Sequence, residues 1–357
     1  MTQTGSRLVA VITPVYNGGA FLAKCIDSVL NQTHRNIDYY IVDNCSTDDS
    51  LAIARDAAAR DDRITVVEAG EHVGPIQNWN RSLANIQHKH EFVKFVHADD
   101  WLFPECIQKL LSVAASDDRI GMVSSYRLEE DRVSLDRLPS RAPLVASEEA
   151  FVMDGREVGR AILAEHASVL GSPTSILFRT RAIGDPCSLF STEFLHADKE
   201  ACLRLLQSCD FGFVRQVLAY TRRHNESVTS LTRVLDTRRQ ENLLFLKKYG
   251  PVFLSGTELE TALQREENSY YRFLAGNVAT GKSRQFWDSH ETVLQQAGLG
   301  FSRFRVFSCF LRRWLNPALA AKELADARSV RRPDNDTEAY RFLEMSRRQD
   351  GVRDDAD

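Results

Sequence analysis

Two adjacent carboxylates, Asp99 and Asp100, follow an apolar run, Phe-Val-Lys-Phe-Val at residues 92–96, with His97 and Ala98 between. The run has the length and composition of a buried strand, so the pair falls just past a strand's C-terminal end. In an open α/β sheet that end is where ligands bind. Neighbouring acids repel one another unless water or a cation separates them, and a hard divalent ion holding a diphosphate is an economical bridge. The alternative is a solvated turn in which an aspartate caps the helix that starts near Pro104. The chain upstream tips the balance towards chemistry.

The elements that must position this pair repeat one pattern. Residues 8–13 form an apolar, β-branched run closed by Pro14, which reads as a first strand with Pro14-Val15-Tyr16-Asn17-Gly18-Gly19 at its tip. Phe21, Leu22, Cys25, Ile26, Val29 and Leu30 then recur at helical spacing. A second strand at residues 39–42 also ends in a carboxylate, in Asp43-Asn44-Cys45-Ser46-Thr47-Asp48-Asp49, and Ser46 or Thr47 is expected to cap a helix over 48–60. A third strand at 64–67, a loop at 70–75 and a helix at 76–86 carrying Asn78, Asn80 and Arg81 lead into the strand before Asp99. Such alternation predicts an α/β fold with a Rossmann-like, doubly wound, mostly parallel sheet built through right-handed crossovers.

Downstream, residues 121–126 read as another strand, and the polar, proline-bearing stretch 127–146 as a mobile loop or acceptor-side insertion. A helix is expected over 155–163. Residues 171–175, Gly-Ser-Pro-Thr-Ser, lead into a strand at 176–179, and two closing strands follow at 211–214 and 217–220. Between the strand at 176–179 and the first closing strand lies His196-Ala197-Asp198-Lys199-Glu200, after which the pattern turns helical, so Asp198 sits at or near a helix start and can serve as its cap. From Leu231 leucines and aromatics recur at helical spacing, with Gly250, Pro251 and Gly256 as punctuation, which predicts a C-terminal all-helical appendage. The expected organisation is a catalytic domain over 1–230, a helical region over 231–332 and a charged tail over 333–357.

Composition excludes several classes. The chain has 357 residues, 43% hydrophobic and 26% charged, enough for one large and one smaller core. A formal net charge of -4 gives no global basic field, so no nucleic acid partner is expected. Seven cysteines, an odd number without a Cys-x-x-Cys pair, fit neither a disulfide framework nor a zinc site, and a reducing cytoplasm suits them best. No run reaches the roughly 18 apolar residues of a membrane span.

The ordered motifs Thr13-Pro14-Val15-Tyr16-Asn17, Val42-Asp43-Asn44-x-Ser46-Thr47-Asp48, Gly74 with Asn80, and Ala98-Asp99-Asp100 before Pro104 together resemble the nucleotide-sugar half of family 2 glycosyltransferases of the GT-A fold. The resemblance implies a donor pocket in which the backbone of Pro14, Val15 and Tyr16 and the tip of the second strand, Asp43 and Asn44, hold the base. It implies that Asp99 faces the ribose, that Asp100 faces a Mg2+ or Mn2+ ion, and that Asn80 belongs to the same pocket. It also places the general base at Asp198, a positioned carboxylate that takes the proton of an attacking hydroxyl. Glu200 is the rival and should point to another side of its helix. Residues 221–229 resemble the Arg-x-His-x-x-Ser stretch that closes such domains, so His224 becomes a metal or diphosphate contact and Arg222 or Arg223 a neutraliser of the departing phosphates.

Two positions depart from the family pattern. Asn44 replaces a frequent aspartate; its amide oxygen can still accept from a pyrimidine ring N–H, but its NH2 could serve another base, so uridine, thymidine and guanosine donors stay open. His97 stands where the carboxylate motif commonly begins with aspartate. The implied function is a metal-dependent, inverting transfer of a sugar from a nucleoside diphosphate sugar to a hydroxyl of a glycan or lipid-linked glycan. The rivals are a catalytically silent sugar-nucleotide or glycan-binding module and a nucleotidyltransferase, although residues 14–19 lack the basic phosphate loop usual in the latter.

In residues 301–315, Arg303, Arg305, Arg312 and Arg313 interleave with Phe301, Phe304, Val306, Phe307, Phe310, Leu311, Trp314 and Leu315, without an acid. As a helix this reads either as a face packed on the appendage or as a basic helix in peripheral contact with the cytoplasmic face of a membrane.

Overall fold

The computed structural model describes residues 7–86, 90–129, 132–134, 138–142, 149–222 and 235–316. These divide into two compact units, one within 7–159 and 167–222, the other within 160–166 and 235–316.

The first unit is built on one sheet. Its strands are β1 (Val9–Val15), β2 (Ile37–Asp43), β3 (Ile64–Glu68), β4 (Phe92–Phe95), β5 (Trp101–Leu102), β6 (Ile120–Glu129), β7 (Arg132–Ser134), β8 (Ala150–Met153), β9 (Leu177–Arg179) and β10 (Asp210–Thr221). Along the main path the order is β3-β2-β1-β4-β9-β6-β10-β5, with β7 beside β6 and β8 beside β10. All strands of that path but β9 and β5 run the same way. Every residue of β1 and β4 is buried, as a sheet covered on both faces requires of its central strands.

The chain winds outward through β1, β2 and β3 and then returns to the other side of β1 as β4. This reversal opens a crevice beyond the C-terminal ends of β1 and β4, the usual ligand position of a doubly wound sheet. Register fixes what lies there, since Val15 pairs with Asp43 across β1 and β2 while Ile12 pairs with Phe95 across β1 and β4. Pro14 to Tyr16, Asp43 and the residues after Phe95 therefore gather at one edge.

The helices of this unit are α1 (Gly19–Leu30), α2 (Ser50–Ala58), α3 (Pro75–Ala84), α4 (Cys106–Ala114), α5 (Gly155–Ala164), the single turn α6 (Thr180–Ile183) and α7 (Ala197–Leu205); the end of α5 belongs to the second unit. The apolar faces of α1 and α4, with Leu22, Ile26 and Val29 on one and Ile107, Leu110 and Leu111 on the other, bury against the sheet. Two expectations shift. Neither Ser46 nor Thr47 caps α2, because the Asp48 carboxylate accepts from the Ser50 N–H at 3.0 Å and the helix starts only at Ser50. The two closing strands are one, β10, with register irregular between Val214 and Val217, so a bulge takes up the extra residues without ending the strand.

The second unit holds α8 (Thr237–Phe253), α9 (Gly256–Asn277), α10 (Arg284–Gln296) and α11 (Arg303–Leu315). Ser255 and Glu258 form a capping box at α9, and Ser283 and Ser302 cap α10 and α11 through their hydroxyls. Gly250 and Pro251 do not end α8, which runs on to Phe253, since a proline this close to the C-terminus removes only one late backbone bond. Leu243, Tyr270, Tyr271, Leu274, Phe286, Leu294, Ala297 and Val306 make a separate core. The expected α/β fold with a helical C-terminal region is thus the observed one.

His290 sits inside that second core. Its Nδ1 lies 2.5 Å from the Tyr270 hydroxyl and its ring 4.3 Å from that of Phe286. Burial pushes its pKa down to about 4, against the Leu235 carbonyl, which favours the charged ring. The folded form therefore keeps His290 neutral where the unfolded chain takes a proton, so stability is complete above about pH 6.5 and declines as pH falls towards 4, by at most about 1.4 kcal/mol per unit. Denaturant unfolding between pH 7 and pH 4 should show that slope, and His290→Gln should flatten it. An equal slope in both proteins would remove His290 as its source.

Candidate active site

The tips of β1 and β2 are latched by short polar side chains. Asn17, in the left-handed region at φ 52°, donates its N–H to Ser46 Oγ at 3.0 Å and accepts from the Thr47 N–H at 2.8 Å through Oδ1. The Gly18 N–H donates to Ser50 Oγ, and that of Gly19 to Asp48 Oδ2, each at 2.9 Å. The Ser-Thr-Asp sequence thus serves to lock one loop against the other. It leaves Tyr16 50% exposed at the crevice, with its ring 4.3 Å from that of His72.

Asp43 stands at the tip of β2 and is almost wholly buried. Its Oδ2 accepts from the Ser46 N–H at 3.0 Å, while its Oδ1 is buried without a hydrogen-bond partner among the described residues. A buried carboxylate oxygen left unmatched is costly and marks a place where a ligand's N–H would be welcome.

Asn44 points elsewhere. Its Nδ2 donates to the Val73 carbonyl at 2.8 Å, and its Oδ1 accepts from the Val73 N–H at 3.0 Å and from the Arg81 guanidinium. This pairing engages both ends of the amide with the loop before α3. Asn80 is engaged in the same way: its Nδ2 donates to the Phe190 carbonyl and its Oδ1 accepts from the Phe190 N–H, both at 2.8 Å. Each asparagine does for one peptide unit what a neighbouring strand would do.

At the tip of β4, Asp99 is half-buried and Asp100 is 2% exposed. Asp100 Oδ2 accepts from Thr174 Oγ1 at 2.6 Å, and Oδ1 accepts from the Arg222 N–H at 2.9 Å. Burial, together with the Asp99 charge, pushes Asp100 up to about 8, against the stabilising donors. The two acids therefore differ: Asp99 faces partly outward, while Asp100 is turned into the protein. Asp100 is held in place by Arg222 and by Thr174, a residue the sequence did not single out. Thr174 Oγ1 also accepts from the His97 N–H at 3.2 Å, and the fully buried Lys94 donates to the carbonyls of Thr174 and Ile176. A lysine inside an otherwise apolar strand, Phe-Val-Lys-Phe-Val, was the one available signal for this network.

His97 packs under Trp79, ring centroids 4.9 Å apart and nearly parallel, and Trp79 meets Phe190 edge-on. Its Nδ1 lies 3.9 Å from Asp100 Oδ2. Burial lowers the His97 pKa, opposed by the charges of Asp99 and Asp198, so both carboxylates act on the same imidazole. Asp198 stands on the first turn of α7. Asp198 is half-buried and accepts from the Lys199 N–H at 2.8 Å; it is not the cap, which is His196. Glu200 is 2% exposed, and its Oε2 lies 3.9 Å from Arg204 Nε on the inner side of the helix.

Arg222 closes the site from the end of β10. Its backbone N–H binds Asp100, its Nε donates to the Asp99 carbonyl at 3.4 Å, and its guanidinium lies 4.1 Å from the centre of the Phe21 ring. Arg223 and His224 lie outside the described residues.

Among the described residues no cluster of three or more His, Cys, Asp or Glu side chains is arranged to cage a metal ion. Mg2+ and Mn2+ bound with a diphosphate need only one or two carboxylates, the phosphates and water supplying the rest. Asp99 and Asp100 fit that role. Each Asp100 oxygen accepts one hydrogen bond and keeps a second lone pair, so the carboxylate can hold an ion with Thr174 and the Arg222 N–H still in place.

Comparisons with known proteins agree with this geometry. The glycosyltransferase GlyA of Streptococcus pneumoniae is 34% identical over 125 residues, which is 34% of this chain and 18% of that protein, so the shared part is a small fraction of its length. The Staphylococcus aureus TarS 1-349 structure in complex with UDP-GlcNAc superposes with a TM-score of 0.60 at 15% identity, over 89% of this chain and 92% of that one. The mannosyltransferase PcManGT from Pyrobaculum calidifontis, in complex with GDP-Man and Mn2+, gives 0.51 at 18% identity, over 89% and 87%. At these identities the structural likenesses are ones of fold. Residues 10–183, which contain the switch point, Asp43, Asp99, Asp100 and Thr174, match the sequence model of glycosyl transferase family 2, and that stretch is a domain of that family.

Proposed function

We propose that this protein transfers one sugar, with inversion, from a nucleoside diphosphate sugar to a hydroxyl of a glycan or lipid-linked glycan, with Mg2+ or Mn2+ bound beside Asp99 and Asp100. The observation that carries the reading is the unmatched Oδ1 of Asp43, buried at the switch point next to the exposed Tyr16 ring. A carboxylate oxygen there selects a base with a ring N–H, which uracil, thymine and guanine have and which cytosine and adenine lack. Tyr16 offers a face for stacking. The UDP-sugar and GDP-sugar complexes of the two structural neighbours support such a donor. The free thiols of all seven cysteines suit a reducing, cytoplasm-like compartment.

The chemistry divides among the chain's own groups. Asp198 takes the proton of the acceptor hydroxyl as its oxygen attacks the anomeric carbon and the bond to the diphosphate breaks. The Arg222 guanidinium neutralises part of the charge that develops on the departing phosphates. When bound, the divalent ion would supply further positive charge to the same phosphates. Asp99 is assigned to the ribose and Asp100 to the ion, while Thr174 and the Arg222 N–H orient the Asp100 carboxylate. Trp79 stacks on His97, whose ring feels the charges of both Asp99 and Asp198.

Incubation with a panel of nucleotide sugars and Mn2+, read as released nucleoside diphosphate, tests the activity and identifies the donor. No release from any of them, with nucleotide still bound, would leave a binding module instead. Asp198→Asn should still bind nucleotide and lose on the order of 10² to 10⁴ in kcat. An inactive Glu200→Gln beside a healthy Asp198→Asn would move the base to the other carboxylate.

Asp43→Asn replaces the unmatched oxygen by an uncharged amide and should weaken nucleotide binding about 10-fold to 100-fold, the range of a hydrogen bond to a charged group. Equal affinity, measured calorimetrically, would take the base away from Asp43. Asp100→Asn keeps an acceptor for Thr174 or the Arg222 N–H but removes the charge, and should abolish the dependence of turnover on Mn2+. In thermal melts the wild type should be stabilised by nucleotide only when a divalent ion is present. Undiminished Mn2+-dependent activity in Asp100→Asn would refute the metal assignment.

A further inference from the structure

Helix α11 (Arg303–Leu315) packs on its unit through Val306, its one buried residue, with Cys309 beside it and Arg305 paired with Glu267. The opposite side is bare. Phe304 is 78% exposed, Phe307 54%, Trp314 70% and Leu315 71%. At 100° per residue these four side chains fall in one stripe with Leu311, so they form a face and not a scatter. They are also half of the eight large hydrophobic side chains exposed among the described residues. A patch this concentrated marks an interaction site.

The borders of the stripe are cationic. Arg303 lies along one edge, and Arg305 and Arg312 lie along the other, while Arg313 turns inward towards Gly276. Arg305 is engaged with Glu267 and sits 4.0 Å from the centre of the Tyr271 ring. Arg303 and Arg312 are exposed. No acid occurs between residues 301 and 315, in a protein whose formal net charge is -4. A second copy seated on this face through a two-fold axis would bring the same arginines against one another. An anionic surface complements both the stripe and its borders. The helix has 13 residues, too few to cross a bilayer, and no helix among the described residues is long and apolar enough to do so.

We infer that α11 lies in the interface of an anionic lipid bilayer, with Phe304, Phe307, Trp314 and Leu315 among the acyl chains and Arg303 and Arg312 at the headgroups. Aromatic side chains at the depth of the boundary and arginines reaching to the phosphates are the two components of such binding, and each contributes separately.

The test uses the full chain and vesicles of phosphatidylcholine alone or mixed with phosphatidylglycerol, sedimented at low and high salt. The protein should pellet with the anionic vesicles at low salt, largely leave them at high salt, and stay in the supernatant with phosphatidylcholine alone. Arg303→Gln with Arg312→Gln should weaken binding on the order of 10-fold to 30-fold. Phe304→Ser with Phe307→Ser and Trp314→Ser should abolish it, and both variants should keep the wild-type circular dichroism and melting temperature. Wild-type protein that stays in the supernatant with anionic vesicles at low salt overturns the inference, as does a triple-serine variant that still pellets. So does a melting temperature that drops in that variant, because the face would then be covered within the folded protein. Light scattering that finds a dimer, dissociated by the same substitutions without any vesicle binding, would reassign the face to self-association.

Discussion

Burying one carboxylate obliges a fold to bring donors to it, and in the first unit that carboxylate is Asp100. Its oxygens are met by Thr174, 74 residues later in the chain, and by the backbone of Arg222, 122 residues later. Three distant segments are thereby tied at one point, namely the tip of β4, the turn before β9 and the end of β10. The turn is itself anchored by Lys94, which is fully buried and donates to its carbonyls, and burial pushes that amine down to about 8. Burial opposes the charged form of Lys94 and the Asp100 charge favours it, and with Lys94 holding the Thr174 turn the geometry of the carboxylate pair rests on the core of the sheet and not on a free loop.

The tips of β1 and β2 solve a related problem differently. Backbone that leaves a strand at a crevice must find partners for its N–H and C=O groups, and here short polar side chains supply them. Asn17, Ser46, Asp48 and Ser50 lock the two loops, Asn44 pairs with Val73, and Asn80 pairs with Phe190. Against this nearly complete satisfaction the bare Oδ1 of Asp43 stands out, as does the buried Nε2 of His97.

The helical unit follows another logic. Its core is aromatic, arranged around a neutral histidine, and its caps are serines that the sequence places at helix starts. Its last helix turns an apolar stripe away from that core. Hydrophobic spacing alone could not separate a packed face from a bare one, because both have the same period.

Much of the architecture was legible in the sequence because it depends on local patterns. The apolar run at residues 8–13, the carboxylates at strand tips and the helical spacing between them set strand and helix, and their alternation set the parallel sheet and hence the crevice beyond β1 and β4. The ordered motifs gave the family. Boundaries were less legible where one residue decides them, as when Asp48 displaced Ser46 and Thr47 at the start of α2. The use of each polar side chain was not legible at all. Asn44, Asn80 and Asp43 are similar residues in motif positions, yet two are committed to backbone 29 and 110 residues away and the third keeps an oxygen unmatched. Likewise Thr174 carries no local sign of Asp100, and Lys94 signals only that its strand buries a polar group. A side chain's hydrogen-bond partners depend on which distant backbone the fold brings within about 3 Å, and only the tertiary structure decides that.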